Sequence, residues 1–259
     1  MSLLESGLII ETKVKPDSRS DTNGWERTEC SQKESAMNNR QDQLYKNWSE
    51  WLADLDRDVL SLQYHSEVFW RVQEIIRNNP KVGGQGNHFL YYMKGWYEAF
   101  VGSAIRRLAD RRADARSYLK LLEQIRMDNQ VISRVRFKQN FVDSSYSEER
   151  ADRALDSLIG KGQEYIRKND VADDIQKLSN NAIAIREFVN NNIAHTRPYR
   201  EQTTAAPTHS DVKNAMDAIS EIHMKYWRIF TGSSLMSATP KIQYDWEEIF
   251  RTPWIETTR

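Results

Sequence analysis

The chain has 259 residues, 37 Lys or Arg against 37 Asp or Glu, and one cysteine, Cys30. That length allows one large domain or two small ones, and a single cysteine excludes a disulfide framework or a thiolate metal site, so the chain reads as cytoplasmic. Zero formal charge gives no global steering towards nucleic acid or membrane, and no apolar run approaches the roughly 20 residues of a membrane span. Leu3-Leu4 and Leu8-Ile9-Ile10 are interrupted by Glu5 and lack a basic leader, which argues against a signal peptide.

Residues 1–38 are polar and aperiodic, which predicts a disordered N-terminal arm. From Gln41 the pattern changes. Leu44, Trp48, Trp51, Leu55, Val59 and Leu62 fall three or four apart, the seam of a helix about five turns long. A second, short helix is predicted from an N-cap at Ser66 through Val68, Val72 and Ile76, ended by Asn79-Pro80 and Gly83, Gly84 and Gly86. Those glycines lack the Lys-Ser/Thr pair of a P-loop and follow a helix, which argues against a nucleotide site.

A central core helix is predicted over about 87–112, with Phe89, Met93, Trp96, Tyr97, Phe100, Ala104 and Leu108 on one face. Its end is charged. Between Ser103 and Asn140 there are ten Lys or Arg and four Asp or Glu, a local excess of +6 in a neutral chain. Arg106, Arg107 and Arg111 are therefore candidate phosphate contacts, and the competing reading is a solvated face with pairs such as Arg106 with Asp110. An apolar face resumes after Ser117 with Leu119, Leu122 and Ile125, whereas residues 128–146 allow helix or loop. Ser145 and Glu148 have capping-box spacing before a helix over about 147–167 that thins after Gly160 and Gly162.

Asp170 is the predicted cap of the next helix, whose stripe runs Val171, Ile175, Leu178, Ala182, Ile185 and Val189. It ends in Asn190-Asn191-Asn192-Ile193-Ala194-His195, with Arg197-Pro198 beyond. Asn is a weak helix former and Pro198 disfavours helix at Arg197, so His195 is placed near a helix end, flanked by Arg186 and Arg197. There it suits contact with a phosphate and titration near neutral pH. Ser210 is the predicted cap of a last long helix carrying Val212, Met216, Ile219, His223, Trp227 and Phe230. His223 reads as a satisfied core histidine, and no His or Cys spacing suits a metal, so neither metal nor cofactor is expected. The tail over 233–259, with Tyr244, Trp246, Ile249, Phe250 and Trp254, is apolar enough to pack on the bundle or on a partner.

The segment FVNNNIAHTR resembles the motif of HEPN domains, in which an Arg, a polar residue, a short spacer and a His end a long core helix. The resemblance extends to the abortive-infection AbiU-like branch, through the upstream block from His88 to Ile125 and the helix from Ser210, over about residues 40–232. It implies an all-α, up-and-down HEPN-like bundle over 39–232. It also implies a homodimer that brings two motif helices together, RNA as ligand, and a phage-defence or toxin–antitoxin setting with an antitoxin partner. Some members are metal-independent ribonucleases and others only bind nucleic acid.

Asn190 matches the polar residue and His195 the His, but Val189 stands where the motif has Arg. Loss of that guanidinium removes phosphate charge stabilisation and bidentate donors, which favours RNA binding over turnover. The alternatives are an endoribonuclease using His195, Asn190 and either Arg186 or Arg197 as substitute clamp, and a non-catalytic protein-interaction module.

Overall fold

A computed structural model of the chain describes residues 22–79, 88–141, 148–194, 205–239 and 241–251, with side chains from Ala36 onwards. Seven helices make up the described chain: α1 (Thr22–Arg77), α2 (His88–Leu108), α3 (Tyr118–Met127), α4 (Arg134–Gln139), α5 (Glu148–Ile159), α6 (Lys168–Asn192) and α7 (His209–Thr231). Two compact units are distinguished, Met1–Gln43 and Leu44–Arg259. In the first, the backbone is helical from Thr22, so the second part of the expected arm is α1. After Gly24 this stretch has neither Gly nor Pro, and backbone hydrogen bonding continues through it without an apolar stripe. Everything below concerns the second unit.

The seam of α1 is buried as its spacing predicts, with Trp48, Leu52, Leu55, Val59 and Leu62 in the core. The expected break at Ser66 is absent, because α1 continues to Arg77. Ser66 is buried and its hydroxyl pairs with the Tyr97 hydroxyl of α2 at 3.0 Å instead of capping a helix start. Further polar links tie α1 to the bundle. Trp48 Nε1 donates to Gln124 Oε1 of α3 at 2.8 Å, Gln63 Nε2 donates to Ser220 Oγ of α7 at 2.6 Å, and Tyr45 donates to the Phe230 carbonyl at 3.0 Å. The stretch Gly83 to Gly86 lies outside the described residues.

The central helix is α6, not α2. It packs on α2, α3 and α7, and Val171, Leu178, Ala182, Ile185 and Val189 are all buried along one side. Burial in α2 is confined to its second half, from Val101 to Leu108, whereas Tyr91 and Trp96 are 75% and 66% exposed. Phe89, Tyr92, Trp96 and Phe100 do share one side of α2, but that side is exposed. Val101, Ala104, Ile105 and Leu108 lie roughly a third of a turn away around the axis, and that aliphatic side enters the core. α6 starts at Lys168, and Asp170 lies in its first turn, bonded by Arg167 Nε at 2.9 Å rather than serving as the cap. α7 is likewise capped earlier than the sequence suggests, by Thr208, two residues before Ser210, and Thr208 forms a reciprocal capping box with Asp211.

Residues 128–141 resolve into a 3-10 turn, Asn129–Val131, and α4, capped by Ser133. A single antiparallel bridge, Ser133 with Tyr165, joins this region to the segment before α6, and among the described residues there is no strand. Arg134 fastens α4 to α5 through Asp152 at 2.8 Å and Asp156 at 2.6 Å. α5 stops at Ile159 because Gly160 takes a left-handed conformation, φ 99°, which residues with a Cβ rarely adopt. Ser145 lies outside the described residues. In the tail, Trp246–Phe250 form a 3-10 turn tied to α1 by Arg71 Nε to Glu247 Oε1 at 2.7 Å and by the Tyr64 and Tyr244 hydroxyls at 3.2 Å.

His223 is a fully buried core histidine, as its place on the stripe of α7 suggests. Its Nδ1 lies 2.6 Å from the Tyr118 hydroxyl and its Nε2 lies 3.1 Å from Asp56 Oδ1. Burial holds the imidazole pKa below its ordinary value, and the Asp56 carboxylate only partly opposes this. The unfolded chain therefore binds the proton first, and stability is full above about pH 6.5 and falls as pH drops below it, by at most about 1.4 kcal/mol per pH unit. Urea denaturation at pH 7.5 and 5.5 should show wild type losing more stability than His223→Gln over that interval. Parallel losses would show that other groups carry the pH dependence.

Candidate nucleic-acid interface

The buried stripe of α6 has a polar shoulder. Ser179, Arg186 and Asn190 are seven and four residues apart, so a straight helix aligns them on one side, next to Ile185 and Val189. The end of α2 faces this shoulder because Gly102 lets the two backbones approach. A Cβ on Gly102 would lie only 2.8 Å from Val189 Cγ2, closer than side chains tolerate. Four residues on, Arg106 reaches across and its Nε donates to Asn190 Oδ1 at 2.5 Å. Just past the end of α2, Arg111 Nη2 donates to Ser179 Oγ at 2.7 Å.

Arg106, Arg111 and Arg186 thus gather on one shelf, and their bonds to α6 use a neutral amide and a hydroxyl. Among the described residues none of the three forms an ion pair. The nearby acid is engaged elsewhere: Asp110 accepts from both the backbone N–H and the Nε of Arg112 at 3.0 Å. Burial opposes ionisation of Asp110, but these bonds and the Arg106 charge hold its pKa below the usual carboxylate value. Arg186 is half-buried, and desolvation first, then the Arg111 charge, push its guanidinium pKa down, with Asp110 only partly compensating. A half-buried cation that its neighbours only partly compensate gains from an added anion.

Arg186→Met should therefore leave stability unchanged or slightly raised, since solvent screens much of the charge effect. Thermal melting of the variant measures this. A fall in Tm would show that the aliphatic packing of Arg186 outweighs its charge.

The other expected residues divide clearly. Arg107 faces away from the shelf, exposed and paired with Asp58 of α1 at 2.7 Å, and Arg116 is paired with Asp54. The solvated-face reading describes these two, though the expected Arg106 to Asp110 pair does not form. α6 ends at Asn192, with Ile193 as its C-cap, and His195 and Arg197 lie outside the described residues. Val189 is 2% exposed, so the position where the HEPN motif carries its Arg points into the core. The residue that sequence reasoning did not connect to the motif is Arg106. It stands 84 positions away, and only the four-residue step from Gly102, itself invisible as a contact, could have aligned it with Asn190.

Among the described residues no group of three or more His, Cys, Asp or Glu is placed to hold a metal ion, and no helix is long and apolar enough to cross a membrane. The HEPN AbiU2 family model matches residues 45–249. No curated protein and no solved structure matches the chain.

Proposed function

The chain belongs to the HEPN AbiU2 family, and from that premise we propose that it binds RNA on the shelf formed by Arg106, Arg111 and Arg186, in a phage-defence or toxin–antitoxin setting. The observation that carries this reading is three guanidiniums on one shelf without an ion pair among the described residues. A phosphate backbone supplies the missing negative charge and releases counterions when it does so. A homodimer would double this surface, and an antitoxin protein would be the partner that covers it.

Binding of a labelled single-stranded RNA to the purified chain should weaken steeply with salt, and the slope should fall when Arg106 or Arg111 is replaced by Met. RNA affinity that does not change with salt would overturn the proposal.

One observation favours a second reading, the metal-independent endoribonuclease. Arg106 brings a guanidinium to Asn190, and in this reading it supplies the phosphate clamp for which Arg186 and Arg197 are the sequence candidates. In that reading the ribose 2′-oxygen bonds to the neighbouring phosphorus as its proton passes to a base, the P–O5′ bond breaks, and the leaving 5′-oxygen takes up a proton, giving a 2′,3′-cyclic phosphate and a 5′-hydroxyl. His195 acts as the acid or the base, and Arg106 neutralises the charge that builds on the phosphoryl oxygens. Cleavage of RNA that disappears in His195→Ala, with binding retained, would establish turnover. Binding without cleavage leaves the chain a binding module.

A further inference from the structure

A cleft of 580 Å³ opens between α1, the first half of α2 and the start of α7. That is the size of a small-ligand site, and its walls are aromatic. Phe69 and Tyr97 stack face to face with ring centres 3.8 Å apart, and Trp70 meets the His209 ring edge to face at 4.4 Å. Trp70 is fixed in place because its Nε1 donates to the Tyr97 hydroxyl at 3.0 Å, which in turn pairs with buried Ser66. Tyr91 forms part of the rim and is 75% exposed. The two charged groups of the lining, Lys94 and Glu98, lie 3.5 Å apart and offset each other. The cleft therefore offers flat, rigid, electrically neutral surface.

A smaller depression shares Tyr97, Glu98, Pro207 and Val212 with this cleft and extends to Gly102 and Ile185, which lie one turn before Arg106 on α2 and next to Arg186 on α6. Lys94, Glu98, Gly102 and Arg106 follow one another at four-residue spacing in a row that winds about 120° around α2. The path from Lys94 to Arg106 is twelve residues, or about 18 Å at the helical rise. One helix thus borders neutral aromatic surface at one end and carries at the other, in Arg106, a guanidinium without an ion pair among the described residues. Bases need the first and phosphates the second.

Resting on the reading of this chain as an RNA binder, we infer that the cleft receives an unpaired nucleobase of a single-stranded RNA, stacked against Trp70 and Tyr91, while the phosphates of the same strand run along α2 to Arg106. A duplex keeps its bases stacked on one another and cannot place one there, so the site selects unpaired RNA.

The test uses the full chain, a fluorescein-labelled ten-nucleotide single strand, the same sequence as a duplex, and free uridine and adenosine monophosphates. Trp70→Ala and Tyr91→Ala should each weaken single-strand binding by about tenfold or more. The salt slope should not change. Trp70→Phe, which keeps a stacking face, should remain within a few-fold of wild type. Tyr91→Ala removes a side chain that is mostly in solvent, so its effect is not confused with misfolding, and far-ultraviolet circular dichroism checks both Ala variants. Salt-sensitive RNA binding that is unaffected by these variants, or that is equal for duplex and single strand, overturns the cleft assignment and leaves the shelf intact. Nucleotide monophosphates binding as tightly as the strand would make the cleft a free-nucleotide site and overturn the strand path. Variants that alter self-association instead of RNA affinity would assign the cleft to a second copy of the chain. Absence of RNA binding at every salt concentration removes the shelf reading and the cleft with it.

Discussion

Restoring the HEPN motif by Val189→Arg is expected to destabilise the protein by about 4 kcal/mol or more, without creating an efficient ribonuclease. Val189 is 2% exposed and its Cγ2 lies where even a single added methyl on Gly102 would collide, at 2.8 Å. An Arg side chain there must either push α6 away from α2 or bury a guanidinium among apolar atoms. Overpacking alone costs about 1–3 kcal/mol. An uncompensated buried charge adds several more. If the side chain escapes to the surface, it meets the shelf already occupied by Arg106, Arg111 and Arg186. Thermal melting should show a fall in Tm of about 10 °C or more. Gly102→Ala tests the same contact from the other helix, with a cost of about 1–3 kcal/mol that Val189→Ala should partly relieve in the double variant. A Val189→Arg protein that melts like wild type and cleaves RNA faster would show that this helix pair is not closed in solution.

The helical period made α6 and the seam of α1 legible because their apolar residues repeat at three and four and are in fact buried. The errors have physical causes. Ser66 looked like a cap because local sequence cannot reveal that a hydroxyl will be taken by Tyr97 from another helix. The aromatics of α2 suggest a central helix because Phe89, Tyr92, Trp96 and Phe100 keep a helical period, yet they are exposed and the core takes the side of Val101, Ala104, Ile105 and Leu108. A periodic face shows which residues share a side, whereas which side is covered depends on how the helices pack, and that is not local in sequence.

The site was legible in parts. Asn190 and the basic run from Arg106 to Arg111 stand out in the sequence as separate signals, one from the motif and the other from local charge. Their meeting depends on how α2 and α6 cross, and that crossing is set by Gly102 against Val189. Val189 is small and apolar, and Gly102 of α2 packs against it. One turn further along α2, Arg106 reaches Asn190, so the hydrogen bond between the two helices depends on that close contact.

Arg106→Met should weaken single-stranded RNA binding by about ten- to a hundredfold, the equivalent of about 1.5–3 kcal/mol for hydrogen bonds made by a charged group. The slope of log affinity against log salt should fall by about 0.7, as expected for one phosphate contact to a single strand. Nε of Arg106 is held by Asn190, and among the described residues its Nη groups make no hydrogen bond, so they can meet two phosphate oxygens together. Lys cannot keep the Asn190 bond and offer that fork at once, and Arg106→Lys should therefore recover the salt slope but not the affinity. Asn190→Ala should weaken binding only a few-fold, by freeing the Arg106 side chain, and should add nothing in the Arg106→Met background. If the two losses add, Asn190 contacts RNA in its own right. Where cleavage is detected, Arg106→Met should slow it by about 10² to 10³, the usual loss when one donor to developing charge is removed. An undiminished rate would return the role of phosphate clamp to Arg186 or Arg197.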